Sequence, residues 1–333
     1  MAVRKHGATT MGSSPVWLAA LIAGGAVSSP HVMAQAFPAK PIRIVIPFSS
    51  GSTADILSRT IGVKLTEAWG QQVVVESRPG AAGSIGASHV ARAPADGYTL
   101  LMGGASTLGT NGLLYRKLSY DPARDFVPVI QVIRSPSLLI VHPSLPVRSV
   151  KELVALGRAR PGALAYSSSG NGTPSHLGIE LLDLMAGIKT VHVPYRGASE
   201  ALTDLRGGQV QFALNALVSS MPHIQSGHLR PIAVTGSRRS EELPNVATVG
   251  ETLPGYELYL WFGLAAPAAT PAEVVTKLNT EVARVLQLAD VRGRFTGLGA
   301  EVAGGTPDAF AQYIKAELAK WSRVISRLDL RLD

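Results

Sequence analysis

Residues 165–176 read Ala-Tyr-Ser-Ser-Ser-Gly-Asn-Gly-Thr-Pro-Ser-His, and this stretch decides the fold class. A short β-leaning run ends in small polar residues, and an amphipathic helix pattern follows with Leu177, Leu181 and Leu184. Small residues let a backbone approach a ligand closely, and the first turn of a helix offers unpaired N–H groups with a partial positive charge. The stretch therefore predicts either a binding site for a carboxylate or phosphate, or an ordinary connection in which a Ser or Thr caps the helix.

A second loop of the same design lies at Pro47–Asp55, where a β-branched strand pattern ends in Ser and Gly residues before a helix pattern over Thr53–Trp69. Ligands of open α/β sheets bind at the carboxyl ends of strands, so both loops are expected on the ligand-binding edge. We expect Thr53 to be the N-cap and Asp55 to lie in the first turn, where an acid suits the helix dipole. Two interpretations of Asp55 stay open: this dipole role alone, or part of an anion site formed by the N–H groups of Gly51 to Ala54.

Strand and helix patterns alternate along the chain from Pro38 onward. Alternation at this spacing predicts βαβ units, a mainly parallel sheet and an α/β fold. Two strands are predicted at Val127–Val132 and Ser137–Val141, separated by a break at Arg134-Ser135-Pro136, and a further strand-like run ends at Pro267.

These strands are interpreted as crossings between two α/β lobes. The chain then returns to its first lobe, which favours a hinged protein with a cleft over two independent domains. The predicted lobes are residues 37–133 with 262–333, and residues 134–261.

The N-terminus has the layout of a secretory signal peptide. Arg4 and Lys5 precede an apolar run over Val16–Val27, and Ala34-Gln35-Ala36 supplies small residues at the −3 and −1 positions. Cleavage is predicted before Phe37, with cleavage after Ala34 as the alternative. Because the apolar run is short for a membrane span, a retained anchor is the weaker interpretation. Residues 1–36 therefore indicate export to the periplasm.

Composition excludes several classes of site. The chain has no cysteine, which rules out disulfides, Cys-ligated zinc and a thiol nucleophile. The formal net charge is +8, but Lys and Arg do not cluster with aromatic residues as in a nucleic-acid-binding surface. A basic balance of this kind favours attraction of anionic solutes, and no nucleic-acid partner is expected.

Motifs for catalysis and nucleotide binding are incomplete. Glycines 80, 83 and 86 form G-x-x-G-x-x-G, which lacks the tight G-x-G turn of a dinucleotide site. The histidines show no metal-binding spacing, and Ser167–Ser169 lacks the G-x-S-x-G elbow of a hydrolase. His176 is a candidate base, although a first-turn His that caps a loop carbonyl is commoner. We therefore expect no enzyme, metal or cofactor, and an exported hydrolase is the remaining catalytic hypothesis.

A third strand-to-helix junction lies at Val191–Ser199 on the same predicted edge. Tyr195 is a candidate for lining a cleft and Arg196 for attracting an anion, whereas the alternative is a solvated Arg beside a Tyr packed at a rim. Asn215 ends the predicted Val210–Leu214 strand and is a candidate to hydrogen-bond polar atoms of a ligand.

Short motifs shared with a known family occur in order along the chain. They are Pro41-Ile42-Arg43, Pro47-Phe48, Arg78-Pro79-Gly80-Ala81-Ala82-Gly83, Asp96-Gly97-Tyr98-Thr99-Leu100, Leu114-Tyr115, Tyr120-Asp121-Pro122 with Asp125-Phe126, Ser168-Ser169-Gly170-Asn171-Gly172-Thr173, His192-Val193-Pro194-Tyr195, Trp261-Phe262-Gly263, Gly304-Gly305-Thr306-Pro307 and Lys320-Trp321. Jointly these motifs resemble the Bug family, the periplasmic substrate-binding proteins of tripartite tricarboxylate transporters. The resemblance covers residues 37–327.

The resemblance implies a type II periplasmic-binding-protein fold, in which two α/β lobes close by a hinge on a central ligand, usually a small carboxylate. It implies that the two Ser/Gly loops hold carboxylate groups by backbone N–H groups and bridging waters. It also places residues matching Gly104–Thr107 around the cleft. The expected ligand-binding residues are Phe48, Ser50, Gly51, Ser52, Thr53, Asp55, Ser106, Thr107, Ser168, Gly170, Gly172, Thr173, Ser175, Tyr195 and Asn215.

The chain departs from the family pattern in two places. The first loop often reads Pro-Gly-Gly where this chain has Ser50-Gly51-Ser52, and the strand-end acid common in the family is Asn215 here. An acid at that position would suit a ligand with an amino group, so Asn215 favours a carboxylate without an ammonium group. The alternative is that Asn215 keeps the same hydrogen bonds and says nothing about the ligand.

The sequence thus predicts a monomeric periplasmic protein that captures a small organic mono- or dicarboxylate for the membrane permease of a tripartite tricarboxylate-type transporter. The alternative is a ligand-sensing periplasmic protein that signals to a membrane kinase. Both roles use the same closed, ligand-bound state.

Overall fold

The structure is a computed structural model that describes residues 37–328 and 330. The predicted signal peptide, residues 1–36, lies outside the described residues. Within them, the strands are β1 Ile42–Ile46, β2 Val73–Ser77, β3 Thr99–Gly104, β4 Phe126–Val141, β5 Ala165–Ser168, β6 Val191–Pro194, β7 Phe212–Ala216, β8 Arg230–Val234, β9 Tyr259–Pro267 and β10 Glu301–Gly304.

The helices follow the strands almost in alternation. They are α1 Thr53–Trp69, α2 Ser84–Ala91, α3 Asn111–Leu114, α4 Val150–Ala159, α5 Pro174–Ala186, α6 Ala198–Arg206, α7 Leu217–Gln225, α8 Ala272–Leu286, α9 Ala289–Thr296 and α10 Pro307–Leu328. Short 3₁₀ turns occur at Ala81–Gly83 and Val249–Glu251, and a π-helical turn at Ser106–Thr110. None of the described helices is long and apolar enough to cross a membrane.

The strands pair in the order β2-β1-β3-β9-β4-β7-β5-β6, with β8 and β10 also paired to β4. β1 is parallel to β2 and β3, and β5 is parallel to β6 and β7. β4 is antiparallel to β9 at one end and to β7 at the other, so it belongs to both groups of strands. The α/β class predicted from the sequence is confirmed, and the long strand β4 joins its two parallel groups.

β4 corrects one expectation. The sequence predicted two strands broken at Arg134-Ser135-Pro136, but the strand runs without interruption through these residues. Pro136 pairs with Tyr259 of β9, and Ser137 pairs with Ala216 of β7. Proline has no N–H to donate, and here it lies where the strand changes partners, a position at which that loss disturbs the ladder least.

Aliphatic side chains cover both faces of the first strand group. Ile42, Ile44 and Ile46 of β1 pack against α1 and α8, whereas Val45 of the same strand packs with α2 on the other face. This follows from the period of two along a strand, which sends alternate side chains to opposite faces.

Helix α10 contributes to the cores of both strand groups. Phe310 packs with Trp261 and Val45 on the first group, and Trp321 and Ile325 pack with residues of α4 and α5 on the second. The lobe boundaries predicted from the sequence stay a prediction. Helix α10 belongs to the first predicted lobe but also packs on the strand group of the second.

Candidate functional site

The first loop is closed by Asp55. The carboxylate of Asp55 accepts hydrogen bonds from the Gly51 N–H (2.9 Å) and from Arg59 Nε (2.8 Å), and only 6% of the residue is exposed. Burial by itself raises the pKa of Asp55, but the Gly51 hydrogen bond and the Arg59 guanidinium outweigh it and hold the pKa below its usual value. Both carboxylate oxygens are therefore engaged within the protein, which favours a structural role for Asp55.

The helix cap differs from the prediction. Ser52, not Thr53, is the N-cap of α1: its backbone is extended (φ −68°, ψ 164°) and its hydroxyl accepts from the Asp55 N–H. Thr53 is the first helical residue. Both residue types cap helices well, so their backbone angles decide which one does so.

Two of the four N–H groups expected to bind an anion are already occupied. The Gly51 N–H donates to Asp55, and the Ser52 N–H donates to the Ser49 carbonyl at 3.2 Å. Across residues 37–328, the N–H groups of Thr53 and Ala54 have no protein acceptor. An anion at this loop would therefore bind to these two groups, and Gly51, with φ +80°, supplies the turn in front of them.

The second loop has an uncapped helix start. Thr173 is the N-cap of α5, but its hydroxyl donates to the Gly170 carbonyl (2.7 Å) and caps no helical N–H. Pro174 has no N–H, and among the described residues the N–H groups of Ser175 and His176 have no protein acceptor. A helix start without a side-chain cap favours the anion-binding site over the capped connection.

Hydroxyl groups cluster beside this helix start. The Ser175 hydroxyl accepts from the Ser169 N–H at 3.1 Å and lies 3.1 Å from the Ser169 hydroxyl and 3.0 Å from that of Thr173. Gly170 and Gly172 have φ of +126° and +74°, values that L side chains rarely adopt. The two glycines let the loop fold back so that these hydroxyls meet.

Two buried histidines lie under the second loop. The Gly172 N–H donates to His176 Nδ1 at 3.0 Å, and the Ser168 hydroxyl lies 2.6 Å from His192 Nε2. The two imidazole rings stack with centroids 3.9 Å apart and planes 9° apart. Burial lowers the pKa of His176 to about 3, helped by the nearby His192, and burial lowers the pKa of His192 to about 4.

This arrangement corrects the expectation for His176, which accepts an N–H and does not cap a carbonyl. His192 belongs to a family motif and is not among the site residues expected from the sequence. Nothing in its local sequence reveals its role, because the contact with His176 depends on how β5, β6 and α5 pack.

Tyr195 and Asn215 lie close to the second loop. The Tyr195 N–H donates to the Ser168 carbonyl (3.1 Å), but its hydroxyl donates to Asp204 (2.7 Å), which favours packing at a rim. Burial, with the Asp204 carboxylate, raises the pKa of Tyr195 to about 12. Asn215 Nδ2 donates to the hydroxyls of Ser219 and Ser220, each at 3.1 Å.

A small pocket brings several predicted residues together. It is lined by residues from β5 and the residue after it, from β7, and from the N-terminal parts of α5 and α6. None of them has a charged side chain: Ser167, Ser168, Ser169, Ser175, Ala198, Ala201, Leu202, Ala213, Leu214 and Asn215. Neither α5 nor α6 has a side-chain cap. Two positive helix ends therefore meet at one neutral, hydroxyl-rich pocket, a charge pattern that suits an anion. The pocket has a volume of about 10 Å³, the space of one water molecule, so a carboxylate would bind at its opening.

The other predicted residues lie apart from this pocket. Phe48 packs edge-on against Phe262 with centroids 5.8 Å apart, and Ser50 is exposed. Thr107 is fully buried and its hydroxyl accepts from the Gly104 N–H (3.0 Å), while Ser106 is nearly as buried in the π-helical turn. Across the described residues, no hydrogen bond joins the first loop to the second.

A large groove among the described residues lies away from both loops. It is an open groove of about 810 Å³ along α2 with basic residues in its lining, among them Arg43, Arg92 and Lys117, and it contains no predicted site residue. Size alone does not identify a ligand site, whereas uncapped helix ends and clustered hydroxyls have a specific chemistry. The candidate site is therefore the pair of loops.

The chain matches a known protein family. The family model described as "Tripartite tricarboxylate transporter family receptor" matches residues 57–330. The chain belongs to this family. Tripartite tricarboxylate transporter family receptors are periplasmic solute-binding proteins and not enzymes. Protein BugT of Bordetella pertussis (strain Tohama I) is 34% identical to this receptor over 93% of the chain and 96% of BugT.

Solved structures resemble the receptor along most of its length. R. palustris Rpa4515 with adipate is 42% identical, with a TM-score of 0.81, covering 87% of the receptor and 97% of that chain. The periplasmic binding protein BugD is 30% identical with a TM-score of 0.79, covering 89% of the receptor and 99% of BugD.

MatC from Rhodopseudomonas palustris with bound malate is 33% identical with a TM-score of 0.78, and the match covers 87% of the receptor and 100% of MatC. The type II periplasmic-binding-protein fold, with two α/β lobes, a hinge and a central ligand cleft, is thereby confirmed, as is the resemblance to the Bug family.

Proposed function

We propose that this receptor captures a small dicarboxylate in the periplasm and delivers it to the permease of a tripartite tricarboxylate-type transporter. The observation that carries the proposal is the neutral pocket at the first turns of α5 and α6. Its helix N–H groups can donate to a carboxylate, and no charged side chain lines it. Adipate and malate in the structures of two relatives support the same ligand class.

The pocket also supports a ligand without an amino group. Asn215 lies at the pocket where an acid is common in the family, and its side chain offers an ammonium group no countercharge. A desolvated ammonium needs such a partner, because burying an unpaired charge is costly. Hydroxy- or unsubstituted dicarboxylates are therefore favoured over amino acids of the same length.

Export and ligand capture complete the proposal. The mature protein begins at Phe37, acts as a monomer and closes its two lobes on the ligand, with the first loop binding one carboxylate and the second loop the other. Two free N–H groups at each helix start are enough to hold one carboxylate at each loop. Mass spectrometry of protein purified from the periplasm would test the predicted N-terminus.

A thermal-shift and calorimetry screen of matched ligand pairs tests the function. Malate is compared with aspartate and adipate with 2-aminoadipate, since each pair differs at one substituent. At a hundredfold excess over Kd, binding stabilises the folded state by about 2.7 kcal/mol. For a chain of this length the midpoint then rises by roughly 4 °C. If no carboxylate gave a shift or a heat signal, the proposed function would be wrong.

A further inference from the structure

Three stacked rings support the second loop from below. Tyr166 of β5, His192 of β6 and His176 of α5 form the stack, with the Tyr166 and His192 centroids 4.9 Å apart. His176 is only 3% exposed. The proposed carboxylate contacts are made by the second loop, so these three rings do not contact the ligand themselves.

The hydrogen bond from Gly172 to His176 depends on the protonation state of the ring. An imidazole nitrogen accepts a hydrogen bond only when it carries no proton. His176 Nδ1 accepts from the Gly172 N–H, so the ring must be neutral with its proton on Nε2. Gly172 lies two residues before Pro174, the first residue of α5, and so this bond ties the loop to the helix start whose Ser175 lines the pocket.

The groups around His176 have opposite effects on its protonation. Glu180 of the same helix has its Oε1 3.8 Å from His176 Nε2, and this oxygen already accepts the Tyr166 hydroxyl at 2.6 Å. His192 faces the other side of the ring, and burial of both rings disfavours a charge. Asp183, one turn further along α5, is bound to Thr190. The net effect is a neutral His176 near pH 7.

We propose that His176 is a positioning residue of the carboxylate site, whose neutral ring holds the Gly172 N–H and whose protonation releases the loop and weakens ligand binding. This inference rests on the proposed function. His192 differs, because its Nε2 can donate to the Ser168 hydroxyl when protonated, so that bond survives acid. Protonation of His176 would accordingly weaken binding beyond the loss that protonation of the ligand itself causes.

Two variants separate the hydrogen bond from the titration. In His176→Asn, the side-chain oxygen takes a position close to that of Nδ1, so it can still accept from Gly172 but cannot take up a proton. In His176→Leu, the volume is roughly kept and the acceptor is lost. Circular dichroism and thermal unfolding at each pH would verify that all three proteins are folded.

Calorimetry with malate and adipate gives the first readout. At pH 7.5 we expect His176→Leu to bind at least about tenfold more weakly, the effect of one lost hydrogen bond, and His176→Asn to bind within about threefold of wild type. Because the folded protein lowers the pKa of His176 to about 3, wild-type affinity should fall below that of His176→Asn only as the pH drops under about 4, approaching about tenfold per pH unit below pH 3. Both proteins meet the same ligand, so its own titration cancels.

Equal affinity of His176→Leu and wild type at pH 7.5, or identical affinities of wild type and His176→Asn down to about pH 2.5, would overturn the proposal.

A ligand-free readout keeps the inference independent of ligand identity. Nitrogen NMR of wild-type protein at pH 7 should show His176 Nδ1 without a proton and Nε2 with one. Amide hydrogen exchange should show Gly172 protected in wild type and His176→Asn and unprotected in His176→Leu. A proton on Nδ1, or unchanged protection in His176→Leu, would contradict the positioning role. Failure of every carboxylate to bind, with these NMR results as expected, would refute the proposed function alone.

Discussion

Substituting Asn215 by Asp adds a negative charge to the proposed pocket without changing its shape. Asn215 Nδ2 donates to the hydroxyls of Ser219 and Ser220, which in turn donate to the Ala216 carbonyl. A carboxylate at this position must receive those hydroxyls, which then turn away from Ala216. Because one hydrogen bond replaces another, we expect the free energy of unfolding to fall by only about 1 kcal/mol.

The effect on ligand binding should be larger. Asn215 and Ser175 line the same pocket, so a carboxylate bound at the start of α5 would lie on the order of 6 Å from the new charge. With an effective dielectric constant between about 20 and 40, repulsion at that distance is about 1.4–2.8 kcal/mol. Affinity for malate or adipate should therefore fall by about 10- to 100-fold. Aspartate and 2-aminoadipate should lose less or gain, because their ammonium group can pair with the new carboxylate.

Calorimetry at pH 7.5, at low ionic strength and in about 0.5 M salt, measures this difference, and screening should shrink the loss at high salt. Gln209→Glu is the matched control, since it adds the same charge at an exposed position near the other end of β7. The reasoning would be refuted if Asn215→Asp bound every carboxylate within twofold of wild type, or if Gln209→Glu weakened binding equally.

Three further predictions follow from the described contacts. Gly172→Val, at φ +74°, should weaken carboxylate binding at least about tenfold in calorimetry while thermal unfolding stays cooperative; unchanged affinity would place the ligand elsewhere. Asp55→Asn should lower the urea unfolding free energy by about 1–3 kcal/mol at pH 7. The folded protein lowers the pKa of Asp55, so wild type loses this stability as the pH falls below the usual carboxyl range. The difference in unfolding free energy between wild type and Asp55→Asn should therefore shrink in acid. A difference that stays constant with pH would contradict this prediction. Gly263→Ala should destabilise the fold by about 1–3 kcal/mol, because the added Cβ would lie 2.3 Å from the Phe310 ring. Gly293→Ala is the control: the added Cβ would have no atom within 4 Å, so this change should be neutral or stabilising. Equal unfolding midpoints of the two variants would refute the packing argument.

Local patterns predicted most of the elements. The helix over Thr53–Trp69 was predicted with the bounds that the structure has, since apolar spacing and a following glycine, Gly70, define it within one stretch of chain. β10, by contrast, was missed: its four residues, Glu301–Gly304, show no hydrophobic alternation. It forms because β4 offers it backbone partners and because Arg134 pairs with Glu301 at 2.8 Å.

At the candidate site the sequence indicated the loops but not their internal bonds. Two open interpretations of Asp55 were consistent with its position, and the contacts with Gly51 and Arg59 favour the structural one. Thr173 and Ser175 were predicted as ligand contacts by the family resemblance, in a loop whose small residues and place at a helix start also fit a capped connection. Their mutual hydrogen bonding depends on the left-handed turns at the glycines before them.

By itself, the sequence determined the α/β class, the two Ser/Gly loops at helix starts and the family to which their motifs point. All of these are encoded by residues close together in the chain, through side-chain periodicity, helix capping and backbone freedom. The tertiary structure decided that β4 runs unbroken past Pro136, that α10 packs on both strand groups, and that His176 and His192 stack under the second loop. These features join residues far apart in sequence, and only the packing of strands and helices against one another brings such residues into contact.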